Sequence, residues 1–470
     1  MPMNALQPYV GKSLKLTNEQ QLLGQTLLDF YSNPQKQLLI IDGYAGTGKT
    51  TLISAFVKYV IKMDKPVALL ASTGRAAKVL SDKAAFPVET VHKHIYRLEI
   101  HEVDEIRKTK KLVFMLRHGV LPKDATIIVD EASMISNHAV QSGFIHFGSG
   151  RLLTDLLSFA GGRKIIFVGD SCQLPPVKVP LPPVFDIGYM ERVFRKEALR
   201  IKLTQQKRFP PDSIIFKLTD FWRRAIEEKR RIPISIIDGG NAALNIIGNT
   251  EQFTMQLANK IKTSGIENSI GICYTNKTAF EHSQAVRRVL FPNSSTMQKG
   301  EILIVTQNNY LHDVTNGEHL IIDRIGGKEV KAKLTFRSFE GRVKDYNGYR
   351  SLSGLLIEEL LYQHSASLSN EEEAELFVDF VLRMKEKGIK QQSDAFLEHQ
   401  MRDRYLNAIR AKFGYVITCH RAQGGEWDDV FVDIENSLLM QPPEFYLRWV
   451  YTAVSRSAQN IHLLKKSFIR

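Results

Sequence analysis

Cysteine is scarce in this chain of 470 residues: Cys172, Cys273 and Cys419 stand far apart and form no paired spacing. That argues against a disulfide scaffold or a zinc module and points to a reducing compartment. No apolar run approaches the ~20 residues needed to cross a bilayer. Met1 to Val10 lacks a basic region followed by an apolar stretch, so no secretory signal is read there. The expectation is a cytoplasmic, intracellular protein without a membrane partner. Acidic residues are the minority, 50 against 63 lysines and arginines, for a net charge of +13. Such an excess favours a polyanionic partner, because each Lys or Arg placed on a phosphate releases counterions. A merely basic surface explains the same number. Hydrophobic residues at 43% and charged ones at 24% fit a globular chain, and 470 residues are too many for one ordinary core.

Neither internal repeats nor long low-complexity tracts interrupt the chain. Over the first 200 residues, short apolar runs alternate with helical patterns. The runs are Leu38 to Ile41, Val67 to Leu70, Thr126 to Val129 and Lys164 to Val168. Strands apolar on both faces with helices between them require a parallel sheet, so one α/β domain is expected over about 1–205. Further strand-like runs lie at Gly271–Tyr274, Tyr415–Thr418, Val430–Val432 and Ile461–Leu464. Between Met297 and Lys412 the character changes. Glu301 to Thr306 and His319 to Asp323 read as strands around Asn316-Gly317, a hairpin signal. From Leu352 to Lys412 the chain turns charged and helical. This stretch reads as an insertion into a second α/β domain, and Arg97–Lys123 as a shorter excursion from the first.

Gly43-Tyr44-Ala45-Gly46-Thr47-Gly48-Lys49-Thr50 satisfies G-x-x-x-x-G-K-[ST], with a strand before it and a helix after it. Glycines let successive backbone N–H groups converge on phosphate oxygens, and the helix N-terminus adds partial positive charge. Lys49 is expected to reach the β and γ phosphates of ATP, and Thr50 to hold Mg²⁺. Ile127-Ile128-Val129-Asp130-Glu131 is an apolar strand ending in two carboxylates. Asp130 suits the Mg²⁺ shell and Glu131 the orientation or deprotonation of a water. An Asp-Glu pair after a strand is by itself more often a turn; the upstream loop favours the catalytic reading. Thr17 and Gln20 form a capping box ahead of a helical pattern.

Taken in order, these segments resemble the superfamily 1 helicases, in the RecD/Dda-like branch, over nearly the whole chain. Leu16 to Gln20 resembles the Q motif, which implies that Gln20 reads the adenine edge. Gly169 to Pro176 resembles motif III, with Gln173 coupling the γ-phosphate to DNA. Leu203 to Phe209 resembles motif IV, nominating Arg208 as a γ-phosphate sensor. His420 to Glu426 resembles motif V. Val450 to Arg456 resembles motif VI, making Arg456 an arginine finger. Ser72 to Ala77 and Thr90-Val91-His92 resemble the strand-lining motifs Ia and Ib. DNA contacts are therefore expected from Thr73, Gly74, Arg75, Thr90 and His92, and from His420, Arg421 and Gln423.

The resemblance implies two RecA-like parallel-sheet domains, at 1–96 with 124–205 and at 206–296 with 413–470. It also implies a β-hairpin pin at 97–123 and an SH3-like module with a helical extension at 297–412. Phe114 is the candidate wedge of that pin, although an ordinary packed hairpin explains it equally. Two departures bear on grip: Ser72 stands where the family often has proline, and Arg421 where it usually has lysine. Trp427 fits a core better than a stacked base. If Arg208 and Arg456 lie on the second domain, only closure of a cleft completes the site. An arginine so supplied is worth about 10³–10⁵ in rate. The implied activity is an ATP-dependent 5′-to-3′ DNA helicase, a monomer acting on single strands and forked or tailed duplexes in repair or recombination. Opposite polarity, or an ATP-switched DNA-binding protein that does not translocate, are the alternatives.

Overall fold

The computed structural model describes residues 6–11, 15–104, 109–139, 145–177, 179, 181–236, 241–345, 348–391 and 393–469. By its internal contacts the chain divides into two compact units. One comprises Met1–Pro233, Gln423–Gly425 and Gln441–Ser455; the other comprises Ile234–Ala422, Glu426–Met440 and Arg456–Arg470.

The first unit is built on a six-stranded sheet. Its strand order is Glu89–Thr90, Val67–Ala71, Thr126–Asp130, Lys164–Gly169, Leu38–Gly43 and Ala198–Leu203, every pair parallel. Alternation along the strands feeds two cores. Leu39, Ile41, Ile128, Ile166 and Val168 face helices Asn18–Ser32, Lys49–Lys62 and Gly74–Ala84, through Leu27, Phe56 and Leu80 among others. Leu38, Ile40, Ile127, Val129 and Phe167 face the other way, toward Leu153, Leu156 and Met190. Burying each such side chain contributes about 1.5–3 kcal/mol, and it is this two-sided burial that makes the strands read as unbroken apolar runs.

The first unit continues past residue 205 to Pro233. Helix Ile214–Glu227 buries Ile215, Trp222 and Ala225 and packs against helix Pro443–Val454 of the same unit. The excursion at 97–123 contains an antiparallel hairpin, Tyr96–Asp104 with Thr109–Leu116. Its bend, at 105–108, lies outside the described residues.

The second unit carries a five-stranded parallel sheet. Its order is Leu244–Ile247, Ser457–Leu464, Trp427–Val432, Ser269–Cys273 and Val416–Thr418. Each of the four strand-like runs expected for this half falls in it. The insertion forms a five-stranded antiparallel sheet in which Ile302–Val305, near its entry, pairs with Ala411–Phe413 at its exit. Entry and exit side by side let the host sheet continue undisturbed. Val305 and His319 are joined by a longer connection than a tight turn, with Gly317 at φ +93° returning its N–H to the Val305 carbonyl at 2.9 Å.

The helical reading from Leu352 is corrected at both ends. Gly348–Ile357 is a strand paired along its length with Leu334–Asp345, because Leu352, Leu355 and Ile357 bury against that sheet. Among the described residues, α-helices occupy Asn370–Glu386 and Asp394–Arg402, joined through Phe380 and Phe396 with ring centroids 5.0 Å apart, after a 3-10 turn at Glu359–Leu361.

Candidate nucleotide site and strand-facing motifs

Three strand ends converge on the carboxyl edge of the first sheet. Leu38–Gly43 runs into the glycine loop, Thr126–Asp130 ends in the carboxylate pair, and Lys164–Gly169 lies between them and leads to Asp170. Ligands favour that edge because helix N-termini and loop amides collect there.

The loop needs its glycines for stated reasons. Gly46 and Gly48 have φ of +80° and +83°. A Cβ on Gly46 would stand 2.7 Å from Arg208 Cβ, and one on Gly48 2.5 Å from Gln20 Nε2. Lys49 Nζ donates to the Gly43 and Tyr44 carbonyls, the latter at 3.0 Å, so the ammonium is already held over the loop. Thr50 occupies the first turn of helix Lys49–Lys62, next to that ammonium.

Gln20 serves two masters. Its Oε1 accepts from Thr17 N–H at 3.0 Å, completing the capping box, and its Nε2 donates to the Thr47 carbonyl at 2.9 Å. Both polar atoms of the side chain are engaged by the protein, so the geometry makes Gln20 a brace for the phosphate loop.

Asp130 is buried, and burial, helped by the neighbouring Glu131 charge, pushes its carboxyl up to about 6. Glu131 sits in the left-handed region, φ +51°, which costs a non-glycine residue about 1 kcal/mol. Its buried Oε2 has no partner among the described residues. An acceptor held dry and unsatisfied beside a second carboxylate suits a cation shell and a water.

Residues without an assigned role in the sequence tie this edge together. Asp170, wholly buried, accepts from Ala45 N–H at 3.1 Å, Cys172 N–H at 2.9 Å and the Tyr451 hydroxyl at 2.6 Å. Burial raises its carboxyl, against the pull of Lys49 and Tyr451. Arg448, one helical turn before Thr452, donates to the Ser171 and Gln173 carbonyls, the latter at 3.4 Å. Thr452 Oγ1 accepts from Leu174 N–H at 2.9 Å. Helix Pro443–Val454 thus lies directly on the Gly169–Pro176 turn. The clue in sequence was polarity where burial was expected: Asp42 inside an apolar strand, and Asp170 just beyond another.

Arg208 needs correction. It belongs to the same unit as the phosphate loop: Lys207 N–H donates to the Gly46 carbonyl at 2.8 Å, and Arg208 Nη1 donates to the Ser455 carbonyl at 3.2 Å. The strand Ala198–Leu203 pairs with Leu38–Gly43 and so delivers Arg208 to the loop without any cleft closure. Arg456 is buried and opens the last stretch of the second unit; its carbonyl accepts from Trp427 N–H at 3.0 Å.

Two family models match the chain, one described as an AAA domain over residues 15–185 and one as a UvrD-like helicase C-terminal domain over 413–464. The ATP-dependent RecD2 DNA helicase of Deinococcus radiodurans is 22% identical, over 90% of this chain and 46% of that protein. The ATP-dependent DNA helicase Pif1 of Bdellovibrio bacteriovorus is 34% identical over 30% of this chain and 29% of its own length. The ATP-dependent DNA helicase dda of Enterobacteria phage T4 is 25% identical over 58% and 57%. The chain is thus similar to RecD- and Pif1-type superfamily 1 helicases, with the two matched domains in the order AAA, then helicase C-terminal. It spans about half the length, or less, of several curated relatives it matches.

The remaining motifs fall as follows. Thr73 caps helix Gly74–Ala84, its Oγ1 accepting from Ala76 N–H at 3.2 Å. Thr90 caps Val91–Ile95 in the same way. Arg75 lies half-buried in the first turn of helix Gly74–Ala84. Half-buried His92 has its ring 5.4 Å from Phe147, and burial pushes it down to about 4, so it is neutral at neutral pH. Gln423 Nε2 donates to the Leu174 carbonyl at 2.9 Å, and Gly424 packs on Ala76. His420 and Arg421 stand on the short helix Cys419–Ala422 of the second unit, and burial lowers the Arg421 guanidinium.

Phe114 is corrected: it pairs with Leu98 near the base of the hairpin and stacks on Phe147, centroids 4.7 Å apart and planes at 26°. That ring is committed to the core side of the hairpin. Trp427 is fully buried, its Nε1 donating to the Ile266 carbonyl at 3.1 Å, as expected of a core residue.

Proposed function

We propose that this protein is an ATP-driven DNA helicase that moves 5′-to-3′ along single strands and separates duplexes. One observation carries the reading: a phosphate loop and a metal-type carboxylate pair share a sheet edge, and the Ala45 amide of that loop is held by Asp170 and Tyr451, which belong to motifs III and VI. A loop braced by the segment that couples phosphate to DNA and by the segment that carries the arginine finger can answer to whether a strand is present.

In this reading Gly46, Thr47 and Gly48 present amides to the phosphates of ATP, and Lys49 leaves the Gly43 and Tyr44 carbonyls for phosphate oxygens. Thr50 and Asp130 would hold Mg²⁺, which neutralises developing phosphate charge. Glu131 orients the attacking water. Gln173, whose buried Oε1 has no partner among the described residues, couples the γ-phosphate to the strand. Arg208 and Arg456 supply positive charge to the transition state. The backbone of a single strand is gripped by Thr73, Gly74, Arg75, Thr90, His92, His420, Arg421 and Gln423. Contacts of these kinds position a strand without reading its sequence. The sheet at 297–412 is the SH3-like module, and the hairpin at 97–123 is the pin, though its wedge is not Phe114.

Strand displacement with ATP on 5′-tailed and 3′-tailed duplexes tests the proposal. Displacement confined to 5′ tails is expected. Displacement from 3′ tails overturns the polarity, and strand-stimulated turnover without displacement of either substrate favours a switched binding protein.

A further inference from the structure

The second residue of the phosphate loop is a tyrosine, and the structure gives its side chain an occupation that the nucleotide reading does not use. Tyr44 points away from the cradle and is 1% exposed. Its hydroxyl donates to Glu227 Oε1 on helix Ile214–Glu227. Arg223, one turn earlier on that helix, lies over the ring with Cζ 4.2 Å from the centroid, and Lys202 Nζ lies 5.3 Å from it. Both cations also bond Glu227, Arg223 Nη1 at 3.4 Å. Burial and the Glu227 carboxylate push the phenol up to about 12, so it stays a donor throughout the working pH range.

This is an expensive arrangement for mere filling. A phenylalanine would bury the same ring against the same two cations, since cation–π attraction needs no hydroxyl. The hydroxyl instead fixes direction: a charge-assisted bond holds the loop's first turn to one helix. The neighbouring residue is held from the other side, Ala45 N–H meeting Asp170 at 3.1 Å and the Tyr451 hydroxyl at 3.2 Å. Tyr451 lies on helix Pro443–Val454, which packs against helix Ile214–Glu227. Two adjacent loop residues are therefore pinned to two helices that pack on one another.

We propose that Tyr44 is a positioning residue for nucleotide binding, tethered through Glu227 so that the loop's front half keeps the shape from which Gly46 to Lys49 meet phosphate. The tether touches no substrate and acts through the loop. It rests on the nucleotide-site reading, and the experiment separates the two.

Affinity for fluorescent ADP and steady-state ATP turnover are measured on the full chain and on Lys49→Ala, Tyr44→Phe, Glu227→Gln and Glu227→Ala. Tyr44→Phe is expected to weaken ADP binding and raise KM by about fivefold to tenfold, with kcat within about twofold. Glu227→Gln keeps an acceptor and should retain most of the affinity, whereas Glu227→Ala, which also strips Lys202 and Arg223 of a partner, should lose at least as much as Tyr44→Phe. Adding Tyr44→Phe to Glu227→Ala should cost nothing further, because the bond between the two is already gone. Unchanged ADP affinity in Tyr44→Phe, or independent multiplying losses in the double variant, overturns the tether. A loss confined to kcat overturns it too. Normal turnover by Lys49→Ala overturns the underlying nucleotide site instead.

Discussion

The Tyr451 hydroxyl donates to Asp170 Oδ2 at 2.6 Å, and both groups meet the Ala45 N–H of the phosphate loop. A buried carboxylate is stable only where donors surround it, and Asp170 has three. Removing the phenol leaves a buried charge short of one donor, next to the loop. Tyr451→Phe is therefore expected to lower kcat/KM for ATP by about 1–2 kcal/mol, roughly five- to thirtyfold. The protein should stay folded, since the ring volume is kept. Turnover equal to the parent's, measured with single strands present, would show the contact to be idle.

Gly46 carries a second expectation. Its φ of +80° costs an alanine about 1–2 kcal/mol, and the new Cβ would meet Arg208 Cβ at 2.7 Å. The strand that delivers Arg208 is itself sheet-bound, so the loop must give way. Gly46→Ala should lose nucleotide affinity at least tenfold and lower the melting temperature. Gly119→Ala, also at positive φ but with nothing within 4 Å of its Cβ, serves as the control for backbone strain alone.

What the sequence revealed followed from local rules. The glycine loop, the Asp130–Glu131 strand end and the Thr17–Gln20 capping box are each set by neighbours within eight positions, and each is where its spacing puts it. The parallel strands were legible because two-sided burial demands apolar runs. Long-range pairing was not legible: Asp170 and Tyr451 stand 281 positions apart, and nothing at either end names the other. Arg208 was misplaced for the same reason, as strand neighbours rather than chain order set its unit. Leu352–Ile357 was read as helix because the chain that follows is charged and helical, while its pairing with Leu334–Asp345, a partner not visible from the segment itself, makes it β. Phe114 was judged by its place in a hairpin, but Phe147, which covers it, comes from a strand that the reading did not include.

His92 supplies a pH test. Burial lowers its folded value to about 4 from the ordinary 6.5, so the neutral ring is favoured on folding. The unfolded chain binds the proton more readily between those two values. The contribution to stability is thus complete above pH 6.5 and is lost as pH falls toward 4. Urea unfolding at steps from pH 7 to pH 4.5 should show this loss, up to about 1–3 kcal/mol. His92→Gln should flatten that part of the profile. An identical slope in the variant would assign the loss to other groups. Because the ring is uncharged at pH 7.5, raising salt should weaken strand binding equally in His92→Gln and in the parent.

Lys49 and Arg456 separate binding the nucleotide from hydrolysing it. Lys49 already bridges the Gly43 and Tyr44 carbonyls, so Lys49→Ala removes the charge meant for the phosphates while leaving the two capped helices Gly74–Ala84 and Val91–Ile95 untouched. Turnover should vanish and much of the affinity for single-stranded DNA should remain. Arg456 is buried at the start of a sheet strand in the other unit, and its proposed role is confined to the transition state. Arg456→Ala should then lower the maximal rate by about 10³-fold or more, with ADP affinity changed less than twofold. A group that stabilises only the transition state moves kcat and kcat/KM together. If Arg456→Ala instead raised KM at constant kcat, it would be a ground-state binding residue, and Arg208, already on the loop, would be the better candidate for the finger.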